Sequence, residues 1–311
     1  MEFNTRELQN AIGKLKNVIK TKSPYPAIRG VLYKDGTFSA TDMNVHATVS
    51  VSTGLIPTDE TFIIPSIAFD AISKLSAPQT TITATNADTI NVRSGKFDTS
   101  FAAPNVTDFP HFDNIGNELV SVGVTLKEFT DCINGVFYAV SADEKKGNLC
   151  GVNMATSGVG INFTALDGFR AARTQLAYND LAQFSVTVPD GFWKALNKIG
   201  GEEEKVAFSV SADGKAVAIK GEEFEILSRT LEGTYVDVDR IINAINPDKS
   251  LIAVREELLH ALDLHAAALK DVGANNLIIL NVDPDAEIIK FSAKSASSNF
   301  TYEIGAECNG F

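Results

Sequence analysis

Two side chains in one short segment could form an acid–base pair. Asp42 and His46 lie four residues apart in Thr41-Asp-Met-Asn-Val-His46, and a carboxylate beside an imidazole can carry out general acid–base catalysis. Asp167 follows a comparable segment, Thr164-Ala-Leu. Such segments are also typical of turns between strands. Because the turns belong to distant parts of the chain, we do not expect the three groups to converge, and an enzyme is the weaker hypothesis.

The histidines and cysteines follow no metal-binding pattern. His260 and His265 lie five residues apart on a predicted helix and would point about 140° from each other. Cys132, Cys150 and Cys308 match no zinc-binding spacing, and unpaired cysteines favour a reducing compartment. The sequence also has no P-loop, GxGxxG, HExxH or GxSxG motif. We therefore predict no catalytic residue, no metal and no cofactor.

Averaged over the chain, the charge argues against nucleic-acid binding. The 311 residues include 27 Lys and Arg and 39 Asp and Glu, which gives a formal charge of −12, and an acidic protein repels a polyphosphate at long range. The length suits two or three domains. No signal peptide and no apolar run long enough to span a bilayer is visible. We therefore predict a soluble, cytoplasmic protein without membrane contact.

An internal repeat is the strongest signal in the sequence. Five short segments have the apolar spacing of an amphipathic helix, and their first residues lie 60, 61, 63 and 66 residues apart. Thr5, Ser66 and Thr125 are the expected N-caps of three of these helices. The five segments are Ala11–Leu15, Ala71–Leu75, Cys132–Val136, Ala195–Ile199 and Ala261–His265.

The segments between the helices are typical of strands. About three alternating runs follow each helix, and one more run leads into the next helix, as in Thr61–Pro65 and Ser185–Pro189. A three-turn helix cannot bury its apolar stripe alone, so two units should pair under a shared sheet. We therefore predict an α+β fold with domains at residues 1–120, 121–246 and 247–311. The last would be half a domain, which favours a fragment of a longer chain.

Several motifs occur in a fixed order along nearly the whole chain. They are Pro26–Val31, Ser39–Asp42, Thr107–Pro110, Phe137–Ser141, Cys150–Val152, Thr164–Arg170, Ser228–Tyr235 and Asn246–Lys249. Together with the repeat, they resemble the bacterial sliding clamp family, the β subunit of DNA polymerase III. The resemblance implies three similar domains per chain and a head-to-tail dimeric ring with helices around the hole.

The same resemblance implies a function without chemistry. The ring would encircle double-stranded DNA without reading its sequence and would tether the DNA polymerase III α subunit. The clamp loader and other proteins with a clamp-binding motif would be further partners. A clamp homologue of a phage or plasmid, which binds partners without acting as the host's replicative clamp, remains the alternative. The sequence does not separate the two.

A ring resolves the charge conflict, because its outer sheets can be acidic while its inner helices are basic, and screening over about 8 Å lets DNA respond to the local surface. Lysines recur on or after the predicted helices, including Lys16 and Lys127, whereas Glu202–Glu204 should lie outside or on a rim. By the resemblance, Lys145 and Lys146 belong to a DNA-facing loop, where Gly147 and Asn148 replace aromatic residues of the family. The predicted DNA-binding residues are Lys14, Lys20, Lys22, Lys74, Lys145, Lys146, Lys194 and Lys198.

The resemblance also implies an apolar pocket between the second and third domains that captures an extended peptide. Phe169, Ala171 and Val236 replace a His, a Leu and a Pro of the family, which keeps the pocket apolar but alters its preferences. The family strand that completes the pocket is absent from this sequence. The predicted pocket residues are Leu149, Leu166, Gly168, Phe169, Arg170, Ala171, Val236, Arg240 and Ile241.

A ring requires a contact between two chains. The family joins its first domain to the third domain of the partner, and the strand and helix segments that correspond here are 97–103 and 266–269. The predicted interface residues are Phe97, Phe101, Ala267, Ala268 and Leu269.

Overall fold

The computed structural model describes residues 1–51, 60–86, 88–112, 115–179, 181–201, 204–244, 248–269, 277–294 and 298–311. The chain forms two compact units, Met1–Val236 and Asp237–Phe311. Glu202 and Glu203 of the predicted acidic rim lie outside the described residues. The three-domain division stays a prediction.

A helix occurs at each of the five predicted positions. Asn4, and not Thr5, caps the first helix, since its side chain accepts from the backbone N–H groups of Arg6 and Glu7. Thr125 caps the third helix in a capping box with Glu128, as predicted. Ser66 begins a 3₁₀ turn and does not cap the second. The helices are α1 (Thr5–Leu15), α2 (Phe69–Ser73), α3 (Leu126–Phe137), α4 (Asp190–Ile199), α5 (Val238–Ala244), which was not predicted, and α6 (Arg255–Ala268).

The largest sheet in the first unit has eight antiparallel strands and spans both halves of that unit. Its order is β5-β2-β3-β4-β16-β15-β14-β9. The strands are β2 (Gly30–Lys34), β3 (Thr37–Thr41), β4 (Val45–Ser50), β5 (Phe62–Pro65), β9 (Glu118–Thr125), β14 (Lys205–Ser211), β15 (Ala216–Lys220) and β16 (Phe224–Arg229).

Two four-stranded sheets complete the first unit, with the orders β1-β6-β7-β8 and β12-β11-β10-β13. The first contains β1 (Glu2–Asn4), β6 (Gln79–Asn86), β7 (Thr89–Ser94) and β8 (Phe97–Ala102). The second contains β10 (Gly151–Ser157), β11 (Gly160–Leu166), β12 (Ala171–Ala177) and β13 (Ser185–Pro189).

Inside the first unit, the strands that lead into the helices join the sequence repeats in pairs. β1 leads into α1 but pairs with β6, the first strand after α2, and β5 leads into α2 but pairs with β2, the first strand after α1. β9 and β13 make the same exchange around α3 and α4. Within the first unit, each sequence repeat therefore completes the sheet of the repeat beside it, which is the physical reason why the repeats occur in pairs.

One apolar core runs through the first unit beneath these helices. It contains the buried stripe of α1, Leu8, Ala11, Ile12 and Leu15, and continues through both halves to Ile226. Helix α1 packs against α2 and α4, and α4 contacts both β4 and β16. The α+β fold predicted from the repeat is confirmed.

The second unit is smaller and has its own core around Ala261, Leu269 and Phe291. Its sheet order, β17-β20-β19-β18, differs from the others because the strand leading into α6 pairs with the last strand and not with the first. The strands are β17 (Ser250–Ala253), β18 (Ile279–Asp283), β19 (Ile288–Lys294) and β20 (Asn299–Asn309).

Candidate nucleic-acid interface and peptide pocket

Helices α2, α1 and α4 form a row in the first unit, and most of the predicted DNA-binding lysines lie on or just after them. Lys194 and Lys198 point outward from α4, whose other side buries Trp193, Leu196 and Ile199. Lys14 is half-buried near the end of α1, and Lys74 is the exposed residue that ends α2. The amphipathic pattern therefore places positive charge on the side of each helix that faces away from the sheets.

Carboxylates accompany several of these lysines. The Lys194 ammonium is hydrogen-bonded to the Asp190 carboxylate one turn earlier, and Lys127 on α3 lies 3.0 Å from the carboxylate of Asp131. Lys20, in the segment after α1, lies 3.8 Å from the carboxylate of Asp42. The four-residue spacings on α3 and α4 are visible in the sequence and are the signal that indicates these ion pairs.

The loop that carries Lys145 and Lys146 divides its two lysines between different roles. The Asp143 carboxylate accepts from the Lys145 backbone N–H at 3.1 Å, and the Lys145 side chain is exposed. The Lys146 ammonium instead donates to the Asp167 carbonyl at 2.7 Å and lies 5.2 Å from the centre of the Phe169 ring. Lys145 is thus free to approach a ligand, whereas Lys146 ties this loop to the next turn.

The turn at residues 167–170 is held rigidly. One Asp167 oxygen accepts from the backbone N–H groups of Phe169 and Arg170 at 2.9 and 3.1 Å, and the other accepts from Arg170 Nε at 2.9 Å. These two backbone donors, and then the guanidinium, hold the pKa of the Asp167 carboxyl below its usual value. Gly168 has a φ of +92°, which favours glycine. The turn therefore fixes the backbone of Phe169 at the surface.

Most of the predicted pocket residues lie around this turn in the first unit. The Phe169 ring is 94% exposed, and Arg170 lies 5.5 Å from the centre of the exposed ring of Tyr138, a contact that the sequence analysis missed. Leu166 is buried and Leu149 is half-buried, whereas Ala171 and Val236 are exposed. Burial of the neighbouring Tyr235 raises the pKa of its phenol to about 12. The turn thus exposes a basic and an aromatic side chain directly after the buried Leu166.

Arg240 and Ile241 belong to the second unit. Both lie on α5 and are exposed, and the backbone N–H of Arg240 donates to the Asp237 carboxylate at 3.1 Å. Helix α5 thus presents one basic and one apolar side chain on the surface of its own unit.

The predicted interface residues lie on one element of each unit. Phe97 and Phe101 are half-buried on β8, an edge strand of its sheet. Ala267 and Ala268 are exposed at the end of α6, but Leu269 is only 2% exposed and packs into the core of the second unit. Leu269 would act in an interface mainly by supporting its neighbours.

The residues of the alternative acid–base hypothesis form no common site. The Asp42 carboxylate accepts from the backbone N–H groups of Asn44 and Val45 at 2.9 and 2.8 Å, as Asp167 does in its own turn. His46 stacks on Phe112 with the ring centres 4.6 Å apart. Burial, and then the nearby His111, lowers the pKa of His46 to about 4. Asp42 and Asp167 thus stabilise turns, and His46 packs against the segment that contains Phe112.

His260 and His265 both face β20 from α6 but contact different rings, Tyr302 and Phe300. No group of three or more His, Cys, Asp and Glu residues in the described parts of the chain could hold a metal ion. None of the described helices has the length and apolar composition needed to cross a membrane.

Comparison with known proteins decides the family. Residues 123–237 match the family model of the DNA polymerase III beta subunit, central domain. Residues 123–237 therefore belong to this family, and the chain as a whole is similar to bacterial β sliding clamps. The β sliding clamp of Synechococcus elongatus is 25% identical over 293 residues, covering 90% of this chain and 76% of that protein. The clamp of Lactococcus lactis is 22% identical over 312 residues, covering 95% and 81%.

Solved structures of this family share the fold of the chain. A putative DNA polymerase III β subunit from Eubacterium rectale superposes with a TM-score of 0.90 at 16% identity, covering 100% of this chain and 84% of that one. The sliding clamp of Bacillus subtilis superposes with a TM-score of 0.87 at 21% identity, with the same coverage. The predicted clamp fold is therefore confirmed.

Proposed function

We propose that the protein is a non-catalytic DNA sliding clamp. In this role a ring-shaped homodimer encircles double-stranded DNA, holds the replicative polymerase on its template and offers a docking site to other replication and repair proteins. The row of amphipathic helices with outward lysines carries the proposal, since it gives an acidic protein a local surface suited to phosphates. This function would place the protein in the cytoplasm.

We assign the DNA contacts to the lysines named from the sequence, except that Lys146 would act by holding the loop that presents Lys145. Phosphate contacts position a protein on DNA without reading bases, which is what a sliding protein needs. Four of these lysines are the best placed, because they are exposed and have no carboxylate partner among the described residues: Lys22, Lys74, Lys145 and Lys198. The ring supplies retention, so that individual contacts can stay weak.

We assign peptide docking to the surface around the 167–170 turn. Its buried Leu166 and half-buried Leu149 suit the apolar side chains of an extended peptide, and its exposed Phe169 and Arg170 suit contacts at the rim. The polymerase α subunit and the clamp loader are the expected sources of such peptides.

Retention on DNA by topology is the decisive test. The protein would be loaded onto a nicked circular duplex by a clamp loader with ATP, and the circle would then be cut once. We expect the protein to dissociate from the DNA as soon as the circle is cut and to stay bound to the uncut circle. Retention on the linear DNA would mean ordinary contact binding and would exclude the sliding-clamp function.

A further inference from the structure

The helices that carry the lysines are less basic than their lysines alone suggest. On α3, Lys127 is accompanied by Glu128 and Asp131, and on α4, Asp190 accompanies Lys194 and Lys198. An ion pair with an adjacent carboxylate cancels much of the field that a lysine presents to a phosphate. The surface that would face DNA is therefore held close to neutral at two of its helices.

The Asp131 pair has no evident role in stabilising its helix. In a helix, an acidic residue four positions before a lysine is the favourable order, and α4 has that order with Asp190 in its first turn, where the helix dipole favours a negative charge. On α3 the order is reversed, since Lys127 precedes Asp131. Exposed pairs of this kind add little stability in either order. Helix formation alone thus leaves Asp131 unexplained.

We propose that Asp131 and Asp190 weaken the grip of the helix surface on DNA by competing with phosphates for Lys127 and Lys194. The proposal rests on the proposed function, in which these helices face the duplex. A ring held by topology gains nothing from tight phosphate contacts, and each contact that must break slows its movement along DNA. Because each of these lysines has a carboxylate beside it, it can exchange a DNA phosphate for that carboxylate and keep an ion pair throughout.

The geometry supports such an exchange. Both ion pairs are exposed on the surface, so that a phosphate can reach the same ammonium group without opening the core. Neither Asp131 nor Asp190 makes a turn or links two elements, in contrast to Asp42, whose carboxylate holds the 42–45 turn. Replacing either residue with Asn therefore removes one charge and leaves the fold in place.

The test measures binding of the full chain to a short fluorescent duplex by anisotropy at several salt concentrations. Asp131→Asn, Asp190→Asn and the double variant are compared with Glu303→Gln. Glu303 is the matched control because it forms an equally exposed ion pair, with Lys290 at 3.1 Å, but between two strands of the second unit. Lys194→Ala and Lys198→Ala report separately whether the helix surface contacts DNA.

We expect each Asp variant to bind about two- to fivefold more tightly than the wild type at about 50 mM salt and to show a steeper salt dependence, by up to about one phosphate contact per ion pair removed. Glu303→Gln should change binding much less. If the Asp variants and the control change DNA binding equally, the inference is wrong. Weaker binding by the lysine variants would in that case still support the proposed DNA surface. Unchanged binding in both lysine variants would instead overturn the proposed DNA surface, and the inference with it.

Discussion

Ala47 on β4 lies opposite Ile226 on β16, and both side chains are fully buried. This pair belongs to the ladder that joins the two halves of the first unit into one eight-stranded sheet. The halves therefore share hydrogen bonds as well as an apolar core.

Replacing Ile226 with Ala should weaken the first unit as a whole. The substitution leaves a cavity at the junction and should lower the free energy of unfolding by about 2–4 kcal/mol. Urea denaturation followed by circular dichroism measures the change. Glu225→Ala is the control, because its exposed side chain lies on the same strand but faces solvent, and it should change stability by less than about 0.5 kcal/mol. Equal losses in the two variants would contradict the shared core.

His46 should make stability depend on pH in the acidic range. Its pKa is near 4 in the folded protein and near 6.5 when exposed, so the unfolded chain binds a proton more readily. The stabilisation from neutral His46 is complete above pH 6.5 and is lost as the pH falls towards 4. The loss should be on the order of 2 kcal/mol.

A His46→Phe variant isolates this effect. Phenylalanine can keep the stack on Phe112 but does not titrate, so its denaturation curves should lose less stability between pH 6.5 and 4 than those of the wild type. His260→Gln is the control, since His260 is exposed on α6, and it should retain the wild-type pH dependence. The hypothesis fails if His46→Phe retains that dependence as well.

Phe169→Ala should weaken peptide docking without weakening the fold. The ring is 94% exposed, so its removal should change stability by less than about 0.5 kcal/mol. Loss of an aromatic rim contact should weaken binding about tenfold. A fluorescent peptide carrying the clamp-binding motif of a polymerase α subunit provides the anisotropy signal. Tyr25→Ala removes another exposed aromatic ring of the same unit and should bind the peptide as the wild type does. An equal loss of binding in both variants would exclude Phe169 from the pocket.

Phe101→Asp should prevent association of two chains through the edge of β8. A charge at this position opposes burial of the strand against a partner, and we expect the dimer dissociation constant to rise at least about tenfold. Sedimentation velocity over a range of concentrations measures the change. Val159→Asp places the same charge on an exposed turn of the same unit and should leave the dimer intact. An unchanged dimer in Phe101→Asp would exclude β8 as the interface.

The helices and the lysine-bearing faces follow from local sequence, because a period of 3.6 residues identifies the buried stripe and leaves the charged residues outside. Even at this level, neighbours compete for the same role. Asn4 takes the N-cap position predicted for Thr5, and the Thr5 hydroxyl instead contacts that of Thr80 at 2.8 Å. That contact joins residues 75 positions apart, so no local pattern could indicate it.

The sequence by itself determined the repeat, its five recurring helices and the resemblance to sliding clamps, since all of these depend on spacing along the chain. Only the tertiary structure decided which strands pair. In the first unit, the strand that leads into each helix completes the sheet of the neighbouring repeat, as β1, β5, β9 and β13 do. In the second unit, β17 instead pairs with the last strand of its own repeat. Strands with the same alternation present the same hydrogen-bonding groups, so the choice among partners depends on which side chains fit together in the core.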